Sequence, residues 1–332
     1  MARYLVTGGA GYVGSHVVLG LIDAGHQVTV YDNLRLGHRD AVPPQVELIE
    51  ADLANVRRLD LVLAEGPWDA VFHMAALSVV GDSMDDPFLY FAENVGNGIR
   101  LIEACVHHGI KKFVLSSTAN IFGSEAKMPI DEKDVIDPGS PYGESKRMLE
   151  RCLYWADRTR GLRSASLRYF NAAGADPQGR AGEDHTPESH LIPLVIDAAL
   201  GRRPDIAVFG TDYPTRDGTC IRDYIHVSDL AQAHMAVLGQ LDRRSVTYNL
   251  GNGQGHSVLE IIQSVERVSG RKVSTRMGER RPGDVPSLVA ASDLLRAETG
   301  WRPHYGDIDV IVKHALTWRE AHPNGYGDRR AG

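Results

Sequence analysis

Near the start of the chain stands the stretch Leu5-Val6-Thr7-Gly8-Gly9-Ala10-Gly11-Tyr12-Val13-Gly14, which decides the fold. The apolar run from Arg3 to Thr7 predicts a strand, and the helical spacing from Ser15 to Ala24 predicts a helix after the glycines. Glycines at positions 8, 11 and 14 permit a tight turn, a close approach of the main chain to a pyrophosphate, and close packing of helix on strand. The helix N-terminus would face the phosphates. The stretch therefore predicts a dinucleotide site.

An acidic residue follows the second predicted strand. The apolar run from Gln27 to Tyr31 ends at Asp32, eighteen residues beyond Gly14. A carboxylate at this spacing can accept hydrogen bonds from both hydroxyls of the adenosine ribose, and it would repel a 2′-phosphate. The sequence therefore favours NAD over NADP.

Apolar runs and helical stretches alternate through the first half of the chain. Further strands are predicted at Val46 to Glu50, Asp69 to Met74, Lys111 to Ser116 and Ser164 to Tyr169, with helices around Leu53 to Glu65 and Pro87 to His108. Such alternation is typical of a parallel sheet covered on both faces, with ligands at the strand ends. We expect an α/β fold, a Rossmann-type doubly wound parallel sheet with a smaller C-terminal substrate lobe.

The regular alternation stops after the sixth predicted strand. Phe170 to Gly174 is predicted to be a loop, and from about Asp176 the chain is rich in Gly, Pro and acidic residues, with a helix at Ile192 to Leu200. We therefore expect residues 1–175 to form mainly the NAD-binding domain. Residues 176–332 are expected to form mainly the substrate lobe, with some elements returning to the first domain.

A tyrosine and a lysine lie four positions apart in Ser140-Pro141-Tyr142-Gly143-Glu144-Ser145-Lys146. Ser140 is a preferred helix cap and Pro141 suits a first turn, so Tyr142 and Lys146 would share one helix face. The lysine ammonium would stabilise the phenolate and lower the pKa of Tyr142 from about 10. A phenol of this kind can act as a base. The pattern alone is also typical of an ordinary amphipathic helix.

Hydroxyl and basic side chains supply further candidates. Ser116-Ser117-Thr118 ends a predicted strand, where the hydroxyls can meet a ligand or form a turn or helix cap. Arg222 can bind a diphosphate, because a guanidinium bonds phosphate oxygens in pairs, although an ion pair with Asp223 is the alternative. The same argument applies to Arg281 and Asp284, which could hold a phosphate and a ribose hydroxyl.

Composition excludes several classes of partner. Of the 332 residues 24% are charged and 43% hydrophobic, and the formal net charge is −7, which disfavours nucleic-acid or anionic-membrane binding. Three widely spaced cysteines suggest neither a disulfide framework nor a zinc site, and the histidines show no metal-ligand spacing. No metal is expected. No stretch reaches eighteen uninterrupted apolar residues and no secretory leader is recognisable, so a cytoplasmic location is the default expectation.

With the glycine turn, Asp32, the Ser117-Thr118 strand end and Tyr142-x-x-x-Lys146 in this order, the sequence resembles the extended short-chain dehydrogenase/reductase family. Within it the chain is similar to the UDP-sugar 4-epimerases, and the run from Phe209 to Asp229 is the most specific part of the likeness. The resemblance implies a seven-stranded parallel sheet, a small lobe for a UDP-sugar, tightly held NAD and usually a homodimer. The implied reaction interconverts UDP-glucose and UDP-galactose by transient oxidation at C4, rotation of the 4-keto sugar and hydride return.

The resemblance also assigns roles to matching positions. The implied catalytic residues are Tyr142, which takes the proton of the sugar 4-hydroxyl, with Lys146 and Thr118. The strand ends and the resemblance together give as cofactor-binding residues Gly8, Gly11, Tyr12, Val13, Gly14, Asp32, Asn33, Asp52, Leu53, Met74, Ala75, Ala76, Ser78, Asn94, Ser116, Tyr142, Lys146 and Tyr169. The implied substrate-binding residues are Thr118, Tyr142, Asn171, His190, Leu191, Val208, Phe209, Arg222, Tyr224, Arg281, Asp284 and Leu288.

Some positions depart from the family pattern. Ser78 stands where familiar members carry a lysine near the cofactor, and His190 stands where an amide is often found. Leu288 is intermediate in size between a tyrosine that restricts the sugar and a small residue that admits N-acetylated sugars. The identity of the substrate sugar therefore stays open, with UDP-glucuronate, UDP-N-acetylglucosamine and a UDP-pentose as alternatives to UDP-glucose.

Two other activities are compatible with parts of this pattern. A sugar-nucleotide 4,6-dehydratase shares the cofactor lobe, but its catalytic hydroxyl is followed by an acidic pair, whereas Ala119 and Asn120 follow Thr118 in this chain. A non-catalytic NAD sensor or scaffold is expected to have lost the tyrosine or the lysine, and both are present.

Overall fold

The computed structural model describes residues 1–123, 126–281 and 284–327. Its strands are β1 (Arg3–Thr7), β2 (Gln27–Asp32), β3 (Glu47–Glu50), β4 (Ala70–His73), β5 (Lys112–Thr118), β6 (Arg163–Tyr169), β7 (Asn171–Ala173), β8 (Ile206–Phe209), β9 (Ile221–His226), β10 (Val246–Leu250), β11 (Gly255–Ser257), β12 (Thr275–Gly278) and β13 (Ser287–Leu288).

The α-helices are α1 (Tyr12–Asp23), α2 (Val56–Ala64), α3 (Val80–Asp85), α4 (Pro87–Tyr90), α5 (Asn97–His107), α6 (Pro141–Arg160), α7 (Leu191–Ala199), α8 (Val227–Ala236), α9 (Val258–Ser269), α10 (Asp293–Thr299) and α11 (Ile308–Ala321). Short 3-10 turns lie at Arg39–Ala41, Ala119–Ile121 and Val237–Asp242, and a π-helical segment lies at Phe91–Gly96.

Seven strands form one sheet in the order β10-β6-β5-β4-β1-β2-β3. Every neighbouring pair in it is parallel. The prediction of a seven-stranded, doubly wound parallel sheet is therefore confirmed. The chain leaves β1 toward β2 and β3 on one side and returns to β4 on the other, so the direction of winding changes between β1 and β4. Ligands bind at such a switch point, outside the carboxyl ends of the strands.

Alternating side chains of the strands build a core on each face of the sheet, because successive residues of a strand point to opposite faces. Val6 of β1 lies with residues of α1 and α8 in one buried cluster. Leu5, its neighbour, lies with residues of α2, α5 and α6 in the other. Although α8 and β10 come late in the sequence, both belong to this unit of the seven-stranded sheet and its covering helices.

A smaller unit forms from the second half of the chain. β9 pairs with β7, β11 and β13, while β8 pairs with β12. A third buried cluster joins residues of α7, α9 and α11 to this unit, among them Ile196, Ile262 and Val312. β9 carries Arg222 and Tyr224. This arrangement places β9 between the unit of the seven-stranded sheet and the helices of the smaller unit.

Three details differ from the sequence-based expectations. The predicted loop at Phe170 to Gly174 contains β7, because Asn171–Ala173 finds parallel partners in Tyr224–His226. The predicted helix from Pro87 to His108 is interrupted by the π-helical segment. Helix α1 begins at Tyr12 rather than Ser15, with Gly11 as its N-cap.

Within the described parts of the chain, no helix combines the length and the apolar character needed to span a bilayer.

Candidate active site

The glycine turn after β1 lies at the switch point, where the main chain is closely packed. Gly8 has a φ of +74°, and a Cβ there would lie 2.3 Å from the amide nitrogen of Ala75. A Cβ on Gly14 would lie 2.0 Å from the carbonyl oxygen of Gly8. At Gly11 a Cβ would meet only that same oxygen, at 3.4 Å. Gly8 and Gly14 are therefore needed for the turn itself, whereas a Cβ on Gly11 would make only an ordinary contact.

A cleft opens beside this turn. Ten of the predicted cofactor residues line it: Gly8, Gly11, Asp32, Asn33, Asp52, Leu53, Met74, Ala75, Ala76 and Asn94. Sequence reasoning missed eight further lining residues: Tyr31, Arg35, Leu36, Gly37, Ala51, Leu77, Glu93 and Asn97. Most of these come from loops after strands and from the π-helical segment, which carry no motif.

Asp32 lies buried at the end of β2, facing this cleft. One carboxylate oxygen accepts a hydrogen bond from the amide of Ala10 at 3.0 Å, and the other accepts from the amide of Leu34 at 2.9 Å. Each oxygen keeps a second lone pair for a ligand hydroxyl. Burial raises the pKa of Asp32, while the main-chain donors oppose this rise.

These residues fit a bound NAD. The turn has no room for a side chain at Gly8 or Gly14, it leaves open main chain at the start of a helix for a pyrophosphate, and Asp32 presents oxygens for ribose hydroxyls. Asn33 donates to the carboxylate of Asp52 at 2.6 Å, and this bond joins two residues that line the cleft.

The predicted cap of the catalytic helix is confirmed. The Oγ of Ser140 accepts a hydrogen bond from the amide of Gly143 at 3.1 Å, and Pro141 is the first residue of α6. Tyr142 and Lys146 are both buried, with 6% and 1% of their surface exposed. The Nζ of Lys146 donates to the carbonyl oxygen of Ser116 at 2.8 Å.

The expected lowering of the pKa of Tyr142 is wrong. Burial raises the pKa of Tyr142 above its usual range; Tyr169 adds to the rise, and a hydrogen bond with Thr118 opposes it. Burial likewise lowers the pKa of Lys146 to about 7. The physical reason is that both groups are buried, and desolvation disfavours the charged form of each.

The hydroxyls at the end of β5 have different tasks. Thr118 bonds Tyr142, and its Oγ1 also accepts from the amide and the side chain of Asn120, both at 3.1 Å. It is therefore both a cap and a partner of the phenol. Ser116 bonds the hydroxyl of Tyr169 at 2.6 Å. Ser117 is fully buried and donates to Glu150 at 2.6 Å, so its task is structural.

Asn94 joins the cofactor cleft to the catalytic helix. Its Nδ2 donates to the carbonyl of Leu77 and to the Oγ of Ser145, each at 3.0 Å. Its Oδ1 accepts from the amide of Leu77 at 2.8 Å. Ser78, the next residue, is exposed and is not among the residues that line the cleft.

Basic side chains gather on the smaller unit. Arg222 pairs with Asp284 at 3.1 Å and donates to the carbonyls of Ile221 and Val285 at 2.9 Å each. The alternative pairing with Asp223 is wrong, because the buried carboxylate of Asp223 accepts main-chain hydrogen bonds instead. The guanidinium of Arg281 stacks on the ring of Phe209, 4.1 Å from its centre.

Several predicted substrate residues lie on neighbouring strands. Asn171 faces Tyr224 across β7 and β9, and Leu288 faces Arg222 across β13 and β9. Leu191 begins α7, with His190 as its N-cap residue. The side chain of Val208 is fully buried in the core of the smaller unit, and its part in substrate binding stays a prediction.

His190 lies in a charged cluster that the sequence reasoning missed. Its Nδ1 lies 2.8 Å from the Oε1 of Glu183 and 3.3 Å from the Oε1 of Glu188. His185 lies near the same two oxygens, at 3.4 and 3.6 Å. The expectation that the histidines lack metal-ligand spacing was based on the histidines alone and left out the neighbouring glutamates. The signal was the spacing Glu-x-His-x-x-Glu-x-His.

Comparison with known proteins gives the same family throughout. Residues 4–251 match the NAD dependent epimerase/dehydratase family. The chain is 46% identical to the UDP-glucose 4-epimerase of Lacticaseibacillus casei over 326 residues, which is 98% of each chain.

Solved structures that resemble this chain indicate the same family. The crystal structure of UDP-glucose 4-epimerase from Brucella ovis in complex with NAD is 41% identical with a TM-score of 0.92, covering 96% of this chain and 98% of that one. The UDP-glucose 4-epimerase from Bifidobacterium longum in complex with NAD⁺ and UDP is 34% identical with a TM-score of 0.92, covering 98% of this chain and 100% of that one. A family match across most of the chain and this likeness over nearly its whole length lead to one conclusion: the chain belongs to the NAD dependent epimerase/dehydratase family.

Proposed function

We propose that this protein is a UDP-glucose 4-epimerase that interconverts UDP-glucose and UDP-galactose. The observation that carries the proposal is the meeting of Tyr142, Thr118 and Lys146 where β5 and α6 converge, beside a cleft that fits NAD. The relatives reported above support the choice of reaction, because each is a UDP-glucose 4-epimerase.

Tyr142 is the proposed base and acid. It takes the proton of the sugar 4-hydroxyl as C4 is oxidised, and it returns the proton when C4 is reduced on the other face. Bound NAD supplies the reversible hydride acceptor. Thr118 already bonds the phenol and can share the proton of the sugar hydroxyl. Lys146, held by Ser116, keeps a positive charge close to the phenolate while it exists.

The proposed anchor is the UDP group. Arg222 and Arg281 bind the diphosphate, since each guanidinium keeps donors that its present contacts do not use. Asp284, which pairs with Arg222, is proposed to bind a ribose hydroxyl. An anchor on the nucleotide leaves the keto sugar free to rotate, whereas a firm grip on the sugar would prevent the second face from being presented.

The sugar specificity is proposed to depend on Leu288 and His190. Leu288 packs against a small cluster that includes Ala119, the residue after Thr118. Its size therefore bears on the space near the catalytic hydroxyl. UDP-glucose is the proposed substrate, with UDP-N-acetylglucosamine, UDP-glucuronate and a UDP-pentose as the alternatives that the same chemistry would serve.

A homodimer in the cytoplasm completes the proposal. Ile99 of α5 and Met148 and Trp155 of α6 are exposed apolar side chains on two adjacent helices, with 44%, 39% and 55% of their surface accessible. Exposed apolar side chains on neighbouring helices can join into a patch, and contiguous patches mark interfaces between chains. The free thiols of Cys105, Cys152 and Cys220 suit a reducing compartment.

The experiment is to incubate the purified protein, without added NAD, with each of these UDP-sugars separately and to follow the configuration at C4 by proton NMR. We expect UDP-galactose from UDP-glucose and no net formation of NADH. The absence of C4 inversion with every sugar, or a 4-keto-6-deoxy product of the dehydratase type, would contradict the proposal. Light scattering on the same sample tests the dimer.

A further inference from the structure

Four potential ligand side chains come together within eight residues of chain, Glu183 to His190. One donor atom from each of Glu183, His185, Glu188 and His190 lies within 4.8 Å of the other three. The two carboxylates are almost enclosed, with 6% and 9% of their side-chain surface exposed, while the imidazoles of His185 and His190 are 30% and 55% exposed. The cluster therefore has a buried anionic base and an accessible rim.

The spacing of these atoms is that of a coordination shell. The four imidazole to carboxylate separations are 2.8, 3.3, 3.4 and 3.6 Å. Tetrahedral Zn²⁺ with bonds of about 2.0–2.1 Å to imidazole nitrogen and carboxylate oxygen requires its donor atoms to be about 3.3 Å apart. The observed values scatter around this edge length.

Hydrogen bonds within the described chain leave some buried atoms of the cluster without a partner. Among the residues that the structure describes, the buried Oε1 of Glu183, Nδ1 of His185 and Oε2 of Glu188 have no hydrogen-bond partner. The Oε1 of Glu183 is in ion-pair contact with His185 at 3.4 Å and with His190 at 2.8 Å, and the Oε2 of Glu188 is in ion-pair contact with the guanidinium of Arg319 at 3.9 Å. Buried polar atoms that lack a partner in this way call for a further ligand.

We propose that Glu183, His185, Glu188 and His190 bind one divalent transition-metal ion of the Zn²⁺ class. Imidazole with carboxylate is a ligand set of zinc and its neighbours, whereas Mg²⁺ and Ca²⁺ prefer oxygen ligands alone. Two carboxylates neutralise the double charge. The site lies outside the catalytic group of Tyr142, Lys146 and Thr118, but it shares His190 with the proposed substrate site. Its test is metal binding, so the outcome can be told apart from that of the proposed reaction.

The surroundings hold the ligands in place. The Oε1 of Glu188 accepts hydrogen bonds from the amides of Ser189 at 2.8 Å and His190 at 2.9 Å, which orients this carboxylate as outer contacts of metal ligands do. Arg319 approaches Glu188 at 3.9 Å, but its charge is balanced by Asp197 through bonds of 3.1 and 2.5 Å.

The position of the site suggests what the ion does. The ring centre of His185 lies 6.2 Å from that of Tyr12, the first residue of α1, and His190 caps α7. The ion therefore stabilises the segment that joins the cofactor turn to the smaller unit. Binding to the folded state alone raises thermal stability by mass action.

The test uses the full-length holoenzyme without a histidine tag. The protein is dialysed against a chelator and then titrated with Zn²⁺ and, separately, with Co²⁺, whose visible spectrum reports coordination geometry. We expect one ion per chain, an intense tetrahedral Co²⁺ spectrum, and a higher melting temperature with Zn²⁺. Glu183→Gln should weaken Zn²⁺ binding by about 100-fold or more, since even lost outer contacts cost 10–100-fold.

A matched control is available in the surface group of Asp60, His107 and His108, the second set of donor atoms within 4.8 Å of one another among the described residues. His107→Gln should leave stoichiometry and affinity unchanged. Retained NAD content shows that a variant is folded, and His185→Gln replaces Glu183→Gln if the latter fails to fold. The proposal is overturned if parent and His185→Gln bind Zn²⁺ equally, if His107→Gln removes binding, or if no tetrahedral Co²⁺ spectrum forms.

Discussion

The ammonium nitrogen of Lys146 lies 2.8 Å from the main-chain carbonyl oxygen of Ser116, inside the protein. This bond fixes α6 against the end of β5, the strand that carries Thr118. Lys146 is not among the groups that shift the pKa of Tyr142, which burial raises. The lysine charge is directed at a carbonyl, and burial lowers the pKa of the amine to about 7.

Lys146→Met should alter the pH dependence of stability. The folded pKa of about 7 lies below the unfolded value of about 10.4, so the unfolded chain binds more protons between these values, and stability rises with pH in that window. Methionine removes this group and its slope, which is at most about 1.4 kcal/mol per pH unit.

The free energy of unfolding is measured in urea with saturating NAD for the variant and the parent. The difference between them should therefore favour the stability of Lys146→Met most near pH 7 and least near pH 10. The variant should also lose most turnover. Lys111→Met, at an exposed position, should follow the parent. A constant difference between Lys146→Met and the parent across this range would show that the lysine is not desolvated.

Tyr142→Phe should keep the fold and the bound NAD and lose turnover by roughly 10²- to 10⁴-fold, the usual contribution of a general acid or base. Turnover is measured as UDP-galactose formed from UDP-glucose. Tyr154→Phe, on the exposed face of the same helix, is the control and should retain full activity. Near-normal turnover of Tyr142→Phe would remove the phenol from the mechanism.

Gly14→Ala should destabilise the protein by about 1–3 kcal/mol or more, because its Cβ would lie 2.0 Å from the carbonyl oxygen of Gly8 and only a shift of main chain can relieve this. Gly81→Ala has no atom within 4 Å of the new Cβ and should be neutral or slightly stabilising in α3. Melting temperature and bound NAD per chain are the measurements. Equal behaviour of the two variants would contradict the tight packing of the turn.

Arg222→Ala should raise KM for the UDP-sugar by about 10-fold or more with little change in kcat, because an anchor on the nucleotide binds ground state and transition state alike. Arg216→Ala removes an exposed arginine that pairs with Glu260 and should behave as the parent. Calorimetry with UDP checks the affinity directly. A loss in kcat alone would place Arg222 at the reacting sugar instead.

Much of the architecture was predictable because it depends on local patterns. The glycine turn, Asp32 and the cap at Ser140 each follow from residues close together in sequence, and the strand periodicity gave the parallel sheet, which is confirmed. The family prediction is also confirmed by the comparisons. The roles of Tyr142, Thr118 and the arginines at the proposed substrate site stay predictions.

The remainder depends on three-dimensional context. β7 exists only because β9 offers it partners, and the burial of Val208 follows from packing of the smaller unit. The pKa of Tyr142 is governed by desolvation, which neighbours in sequence do not reveal. The ligand cluster at His190 needed both glutamates to fold inward beside the two histidines.

The most direct test of the account is the fate of the hydrogen at C4. UDP-glucose carrying deuterium at C4 is incubated with the purified protein in ordinary water, without added cofactor, and the UDP-galactose formed is analysed by NMR and mass spectrometry. If Tyr142 moves only the hydroxyl proton and the hydride returns to the same sugar, deuterium is retained at C4 of the product. Loss of deuterium to solvent, or its accumulation in released NADH, would contradict the account.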